Sequence, residues 1–167
     1  LLKLFDLFLK RGGHFKKQNV ETINFSSDNN PVIKTNLNSY IFDKTVIACG
    51  AFSKKLTDQV NEKIPLDTER GYHVHFKGHD HLLSRPVIFL NRGFGITPME
   101  QGLRVVGTVE FGGLDNPLNK KRILNLVNNA KYLFPELSEH YDEWLGFRPT
   151  LPDYLPVMGP SKNHKNL

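Results

Sequence analysis

Arg70-Gly71-Tyr72-His73-Val74-His75-Phe76-Lys77 alternates two kinds of side chain. In an extended strand residues two apart share a face, so Arg70, Tyr72, Val74 and Phe76 lie on one side and Gly71, His73, His75 and Lys77 on the other. One face suits a core and the other is polar. This is the pattern of a half-buried strand, and it makes an antiparallel sheet the organising element of the chain. Residues 68–77 and 86–110 are rich in β-branched and aromatic residues punctuated by glycine, which predicts three or four such strands.

Outward from the sheet, Ile123, Leu124, Val127, Ala130, Leu133 and Phe134 line one face of a helix. Asp115 or Asn116 marks its start and Pro135 its end. On the N-terminal side, Leu1, Leu4, Phe5 and Phe8 recur at helical spacing, and Lys10-Arg11 before Gly12-Gly13 supplies a basic last turn and a glycine stop. Residues 20–25 alternate, 26–31 form a turn cluster, and 32–35 return, as small antiparallel strands do. Residues 45–49 read as a strand that turns at Gly50 into a short helix over residues 52–60. From Tyr141 the chain is extended and proline-rich, and residues 161–167 are polar with nothing to bury.

The 167 residues are 39% hydrophobic and 23% charged, the make-up of an ordinary globular protein rather than a disordered one. The apolar opening has no basic region before it and is broken by Lys3 and Asp6, so it is neither a secretory signal peptide nor a membrane span. A single cysteine, Cys49, excludes an internal disulfide and fits a reducing, cytoplasmic compartment. The net charge of +5 comes from scattered pairs such as Lys16-Lys17, Lys54-Lys55 and Lys120-Lys121. No basic stripe or nucleic-acid module is formed, so no nucleic acid is expected as a partner.

Candidate chemistry is sparse. Thr45-Val46-Ile47-Ala48-Cys49-Gly50-Ala51-Phe52-Ser53 places small residues where a strand turns into a helix, which allows close backbone approach. From these residues alone a tight turn without a ligand is the simpler reading. His79 and His81 continue the odd-numbered register of His73 and His75, a donor type that metals accept. Gly78 and Asp80 interrupt the strand and no cysteine or carboxylate cluster completes a set, so no metal site is expected and the histidines face solvent. No nucleophile–base pair and no phosphate-cradling glycine fingerprint occurs, and Cys49 reads as inert packing. No catalytic residue is assigned.

One further stretch stands out: W-L-G-F-R-P-T-L-P-D-Y-L-P-V-M-G-P, residues 144–160. Pro149 pushes Arg148 out of the α region and presents it from extended chain. A guanidinium so held offers a planar fork of donors suited to a carboxylate. A solvated surface arginine remains the plain alternative.

Taken in order, VIACGAFSKKL (46–56), IPLDTERGYHVHF (64–76), GLRVVGTVEFGG (102–113), LFPEL (133–137) and the 144–160 stretch resemble the FAD-dependent oxidoreductases of the D-amino-acid oxidase superfamily, most of all the bacterial D-amino-acid dehydrogenases. The resemblance implies an α+β chain. An antiparallel substrate-domain sheet with a covering helix occupies residues 63–143, part of a Rossmann-like FAD-binding domain residues 1–62, and a return segment residues 144–167. It implies that Arg148, of the G-x-R-P element, binds the substrate carboxylate, with Arg70 and Tyr72 near the same pocket. It also implies that Val20, Ala48, Cys49, Gly50 and Phe52 run beside the FAD.

The superfamily's glycine fingerprint, which holds the FAD pyrophosphate, and its glycine-rich closing segment are not in this sequence. The expectation is therefore the central and substrate-binding part of a longer enzyme that oxidises a D-amino acid or related amine, inactive in isolation. A quinone acceptor would bring peripheral membrane association. The rival reading is a non-enzymatic β-rich module that binds an anionic ligand or a protein partner through the same arginine. The oligomeric state and the individual substrate are not legible.

Overall fold

The computed structural model describes residues 1–167. They form two compact units, one of residues 1–48, 55–64 and 158–167, the other of residues 49–54 and 65–157.

The second unit is built on the predicted sheet. Strands β4 (Asp67–Phe76), β5 (Val87–Phe89), β6 (Phe94–Met99), β7 (Gly102–Glu110) and β8 (Asp142–Thr150) pair antiparallel in the order β5-β6-β7-β4-β8. The alternation on β4 sorts as the sequence requires, with Arg70, Tyr72, Val74 and Phe76 buried. Tyr72, Val74 and Phe76, with Phe94, Ile96, Leu103 and Val105, pack against helix α3 (Lys120–Leu133), whose Ile123, Leu126, Val127 and Ala130 recur at helical spacing. Burying each large aliphatic or aromatic side chain contributes about 1.5–3 kcal/mol, so Phe76→Ala would cost roughly 3–5 kcal/mol.

Helix α3 starts later than Asp115 or Asn116. Its N-cap is Asn119, whose side chain accepts from the Lys121 N–H at 3.1 Å. The Pro117 carbonyl instead accepts from Arg70 Nη2 at 2.6 Å, and the Asn116 side chain donates to the Gly112 carbonyl at 2.6 Å. The Pro117 carbonyl and the Asn116 side chain are thus engaged elsewhere. β7 carries a bulge at Thr108, φ 63°, where the β4 register shifts between Gly71 and Tyr72, and Arg122 of α3 donates to the Thr108 hydroxyl. The extended tail is more than extended: β8 pairs along its length with β4, setting Arg148 opposite Glu69 and Trp144 opposite His73. His73 is half-buried and stacked on Trp144 rather than plainly solvent-facing.

In the first unit β1 (Val20–Phe25), β2 (Pro31–Thr35) and β3 (Ser39–Ile41) form an antiparallel meander. Ile23 and Ile33 bury against Leu56 and Val60. The Gln59 amide clips this layer to β1, accepting from the Ile23 N–H at 3.0 Å and donating to the Glu21 carbonyl at 3.1 Å. Helix α1 (Leu2–Lys10) forms as its periodicity predicts and buries none of its residues.

Other expectations fail for physical reasons. Residues 45–49 form no strand, because apolar composition alone provides no ladder partner; the Thr45 N–H donates to the Asn166 carbonyl at 2.9 Å. The 52–60 helix is broken into 3₁₀ turns at Gly50–Phe52 and Asp58–Val60 around the short α2 (Ser53–Thr57). Residues 161–167 do have something to bury: Leu167 packs on the Ile23 cluster, and His164 stacks on Phe25 at 4.0 Å between ring centroids. Glu62 anchors the same segment, accepting from the Ser161 hydroxyl and from the Asn163 N–H at 3.0 Å. No helix is long and apolar enough to cross a membrane.

Candidate functional site

Arg148 projects from the face of β8 opposite to α3. Its extended backbone follows from Pro149, and its cross-strand partner is Glu69. The Arg148 side chain is 65% exposed while that of Glu69 is 4% exposed, and Nη2 meets Glu69 Oε2 as an ion pair rather than an aligned hydrogen bond. The other carboxylate oxygen, Oε1, accepts from the Tyr154 hydroxyl at 3.2 Å. Tyr154 sits at φ 59°, a backbone region that a bulky residue rarely adopts, at the turn where its N–H donates to the Leu151 carbonyl at 3.0 Å. A buried carboxylate therefore anchors one side of an exposed guanidinium. A guanidinium has five N–H donors, so most of those on Arg148 remain open to a second anion.

Arg70 and Tyr72 lie on the other face. Arg70 is fully buried, with Nη2 on the Pro117 carbonyl at 2.6 Å, Nη1 on the Gly112 carbonyl at 3.4 Å and Nε 3.4 Å from Glu110 Oε2. The Tyr72 hydroxyl donates to the Glu110 carboxylate, whose other oxygen accepts from the Asn119 amide at 3.0 Å and faces Arg122 Nε at 3.4 Å. The bond from Tyr72, then that from Asn119, holds the Glu110 carboxyl below its usual range against the opposing effect of burial. Burial, then the Glu110 carboxylate, pushes the Tyr72 phenol up. This network ties β4, β7 and the start of α3 together. Of the three side chains expected at the substrate, only Arg148 reaches the open face; Arg70 and Tyr72 are occupied in the core.

Sequence reasoning did not single out Glu69 and Tyr154. Glu69 shares the odd register of Gly71 and His73, but its pairing with Arg148 depends on the alignment of β8 with β4.

Among the residues expected beside FAD, Ala48, Cys49 and Gly50 are exposed, and Val20 is 37% exposed at the start of β1. Cys49 is not inert packing: its thiol is free and exposed, and its N–H donates to the Ser53 hydroxyl at 3.0 Å. Gly50 takes φ 56°, and a Cβ there would meet nothing within 4 Å. This open backbone of small residues fits close approach by a planar group. Phe52 packs edge-on against Phe147 at 5.7 Å, which sets the Gly50–Phe52 turn against the residue next to Arg148.

The model of the FAD dependent oxidoreductase (DAO) family matches residues 1–167. This chain belongs to that family. As an FAD-dependent oxidoreductase sequence it is 34% identical over 130 residues to a D-amino-acid oxidase of Bradyrhizobium diazoefficiens, covering 75% of this chain and 31% of the relative. It is 30% identical over 139 residues to a D-amino acid dehydrogenase of Granulibacter bethesdensis, covering 81% and 33%. The chain thus spans about a third of the length of these curated relatives. Its fold matches glycine oxidase from Geobacillus kaustophilus with a TM-score of 0.75 at 22% identity, over 91% of this chain and 41% of that one. The family's mixed architecture of helices and antiparallel sheet is what the chain displays.

Proposed function

We propose that this chain is the substrate-binding part, together with a portion of the FAD-binding part, of an enzyme that oxidises an amino acid or related amine, with D-amino acids as the foremost class. The observation that carries the reading is Arg148, an exposed guanidinium anchored from behind by the buried Glu69 carboxylate. The relatives named D-amino-acid oxidase and D-amino acid dehydrogenase support the substrate class. Residues 1–62 contribute to the FAD-binding part, residues 63–143 form the substrate-binding part, and residues 144–167 return toward the FAD-binding part.

Arg148 binds the substrate carboxylate through the donors that Glu69 leaves open, and Glu69 with Tyr154 fixes the direction of the fork. Held so, the substrate presents its Cα–H bond in one orientation, and positioning is the protein's main contribution. Loss of hydride from Cα and a proton from nitrogen gives the imino acid, which water converts to the oxo acid and ammonia. FAD, when bound, supplies the acceptor for that hydride. Ala48, Cys49, Gly50 and Phe52, with Val20, are proposed to run beside it, using exposed backbone and small side chains.

In the complete FAD-loaded enzyme, Arg148→Lys replaces a planar fork by a point charge and is expected to lower kcat/KM by about 10- to 100-fold while leaving the flavin absorbance intact. Unchanged kinetics would remove the carboxylate-binding role.

A further inference from the structure

Gly71 occupies the interior of the ten-residue strand β4, where glycine is less favourable than alanine. Gly71 borders the bulge at which the β4–β7 register shifts, but the extra residue of that bulge is Thr108 on β7. Its φ is not positive, and a Cβ built on it would meet nothing within 4 Å. Strand glycines accompany bulges, as this one does, and also places where another group approaches the backbone closely, for which the open space over Gly71 leaves room.

Its surroundings indicate which group. On β8 the partner of Gly71 is also glycine, Gly146, between the Glu69–Arg148 pair and the His73–Trp144 pair. Residues two apart on a strand share a face and stand about 6.8 Å apart, so these pairs form successive rows. A Cβ on Gly146 would collide with Cη2 and Cζ3 of the Trp144 indole, so the indole lies along the strand over Gly146, toward Arg148. Trp144 stacks on His73 at 4.6 Å and 12°, yet stays 51% exposed. Val109, the β7 partner of Gly71, is exposed beside it. The result is a notch floored by the Gly71 backbone, walled by indole and valine, with the Arg148 guanidinium at its end. Burial, then Arg104 and His75, holds the His73 imidazole behind the indole below its usual range.

We infer that Gly71, Trp144 and Val109 form the pocket for the substituent of the carboxylate held by Arg148, and that they select ligands carrying a flat aromatic or apolar group. This rests on the carboxylate-binding role of Arg148. Benzoate and acetate share the carboxylate and differ in the substituent, so calorimetric titration of the chain with each separates the two ideas. Emission from Trp144, its single tryptophan, gives a second readout.

The unsubstituted chain is expected to bind benzoate at least tenfold more tightly than acetate, with a saturable change in Trp144 emission. Gly71→Val, which fills the notch, should bring the two affinities within about twofold while leaving acetate binding in place. Gly71→Ala, sterically free in the fold, should lower the preference by about threefold. A benzoate preference that survives both substitutions overturns the pocket while leaving Arg148 untouched. Arg148→Gln should abolish binding of both ligands. Retention of both affinities in that variant, or no benzoate binding by the unsubstituted chain, overturns the anchor and the pocket together.

Discussion

Replacing Arg70 by leucine separates the two arginines of this fold. Arg70 is fully buried, donates to the Pro117 carbonyl at 2.6 Å and the Gly112 carbonyl at 3.4 Å, and lies 3.4 Å from Glu110. Arg70→Leu retains apolar bulk but leaves those buried carbonyls without their donor. Removing one partner of a buried ion pair costs about 3–5 kcal/mol. Glu110 keeps Tyr72, Asn119 and Arg122, so the lower end applies, about 3 kcal/mol. In a chain of this size that corresponds to a fall in melting temperature of roughly 6–12 °C.

The opposite signature is expected of Arg148→Lys. Its side chain is 65% exposed, so the ion pair with Glu69 is screened and the change in stability should stay within about 1 kcal/mol. Carboxylate affinity is where that variant should suffer. Urea unfolding followed by circular dichroism, run beside benzoate titration of both folded variants, measures the two quantities. The reasoning is refuted if Arg70→Leu keeps full stability while losing carboxylate affinity, because Arg70 would then face ligand rather than the Pro117 turn.

The Glu110 carboxyl, held low by Tyr72 and Asn119, contributes stability that is fully present above its ordinary value of 4.5 and is lost as pH falls through its lower folded value. Urea midpoints measured from neutral pH into that acid range should therefore fall more steeply for the unsubstituted protein than for Glu110→Gln; parallel curves would contradict the network. With no glycine-rich phosphate cradle in its sequence, the 167-residue chain by itself is expected to retain no stoichiometric FAD after gel filtration and to show no dehydrogenase activity. A yellow one-to-one complex would contradict that.

The sheet was legible because its signal is local: a period of two on β4 sorts side chains by face before any partner is known. Helix α3 was legible for the same reason, through Ile123, Val127 and Ala130. Its start was not, because the carbonyl of Pro117 is claimed by Arg70, far away in sequence. Residues 45–49 had a strand's composition, but a strand is a pairing, and pairing is not encoded in one segment. Residues 161–167 looked inert because their anchor is the carboxylate of Glu62, reached only by the fold. Arg148 was legible through the restriction that Pro149 imposes on it, whereas Glu69 became visible only with the register.

That register decides what each charge on β4 does. Glu69 and Arg70 are consecutive, so the pleat sends them to opposite faces, one beneath the exposed guanidinium of Arg148 and the other into the core beside Glu110. A slip of β8 by one residue would turn its side chains over relative to β4, leaving the buried Glu69 carboxylate without its cation and bringing Arg148 to the core face. Either result strands a charge at a cost of several kcal/mol, far more than the preference of any single turn. The ion pair that points the proposed carboxylate anchor therefore also helps specify the strand alignment that creates it. On this argument Glu69→Leu should weaken the β4–β8 alignment as well as the direction of Arg148. Amide hydrogen exchange along β8 should quicken in that variant while exchange along β6 and β7 stays unchanged; uniform exchange across the sheet would show that register is set elsewhere.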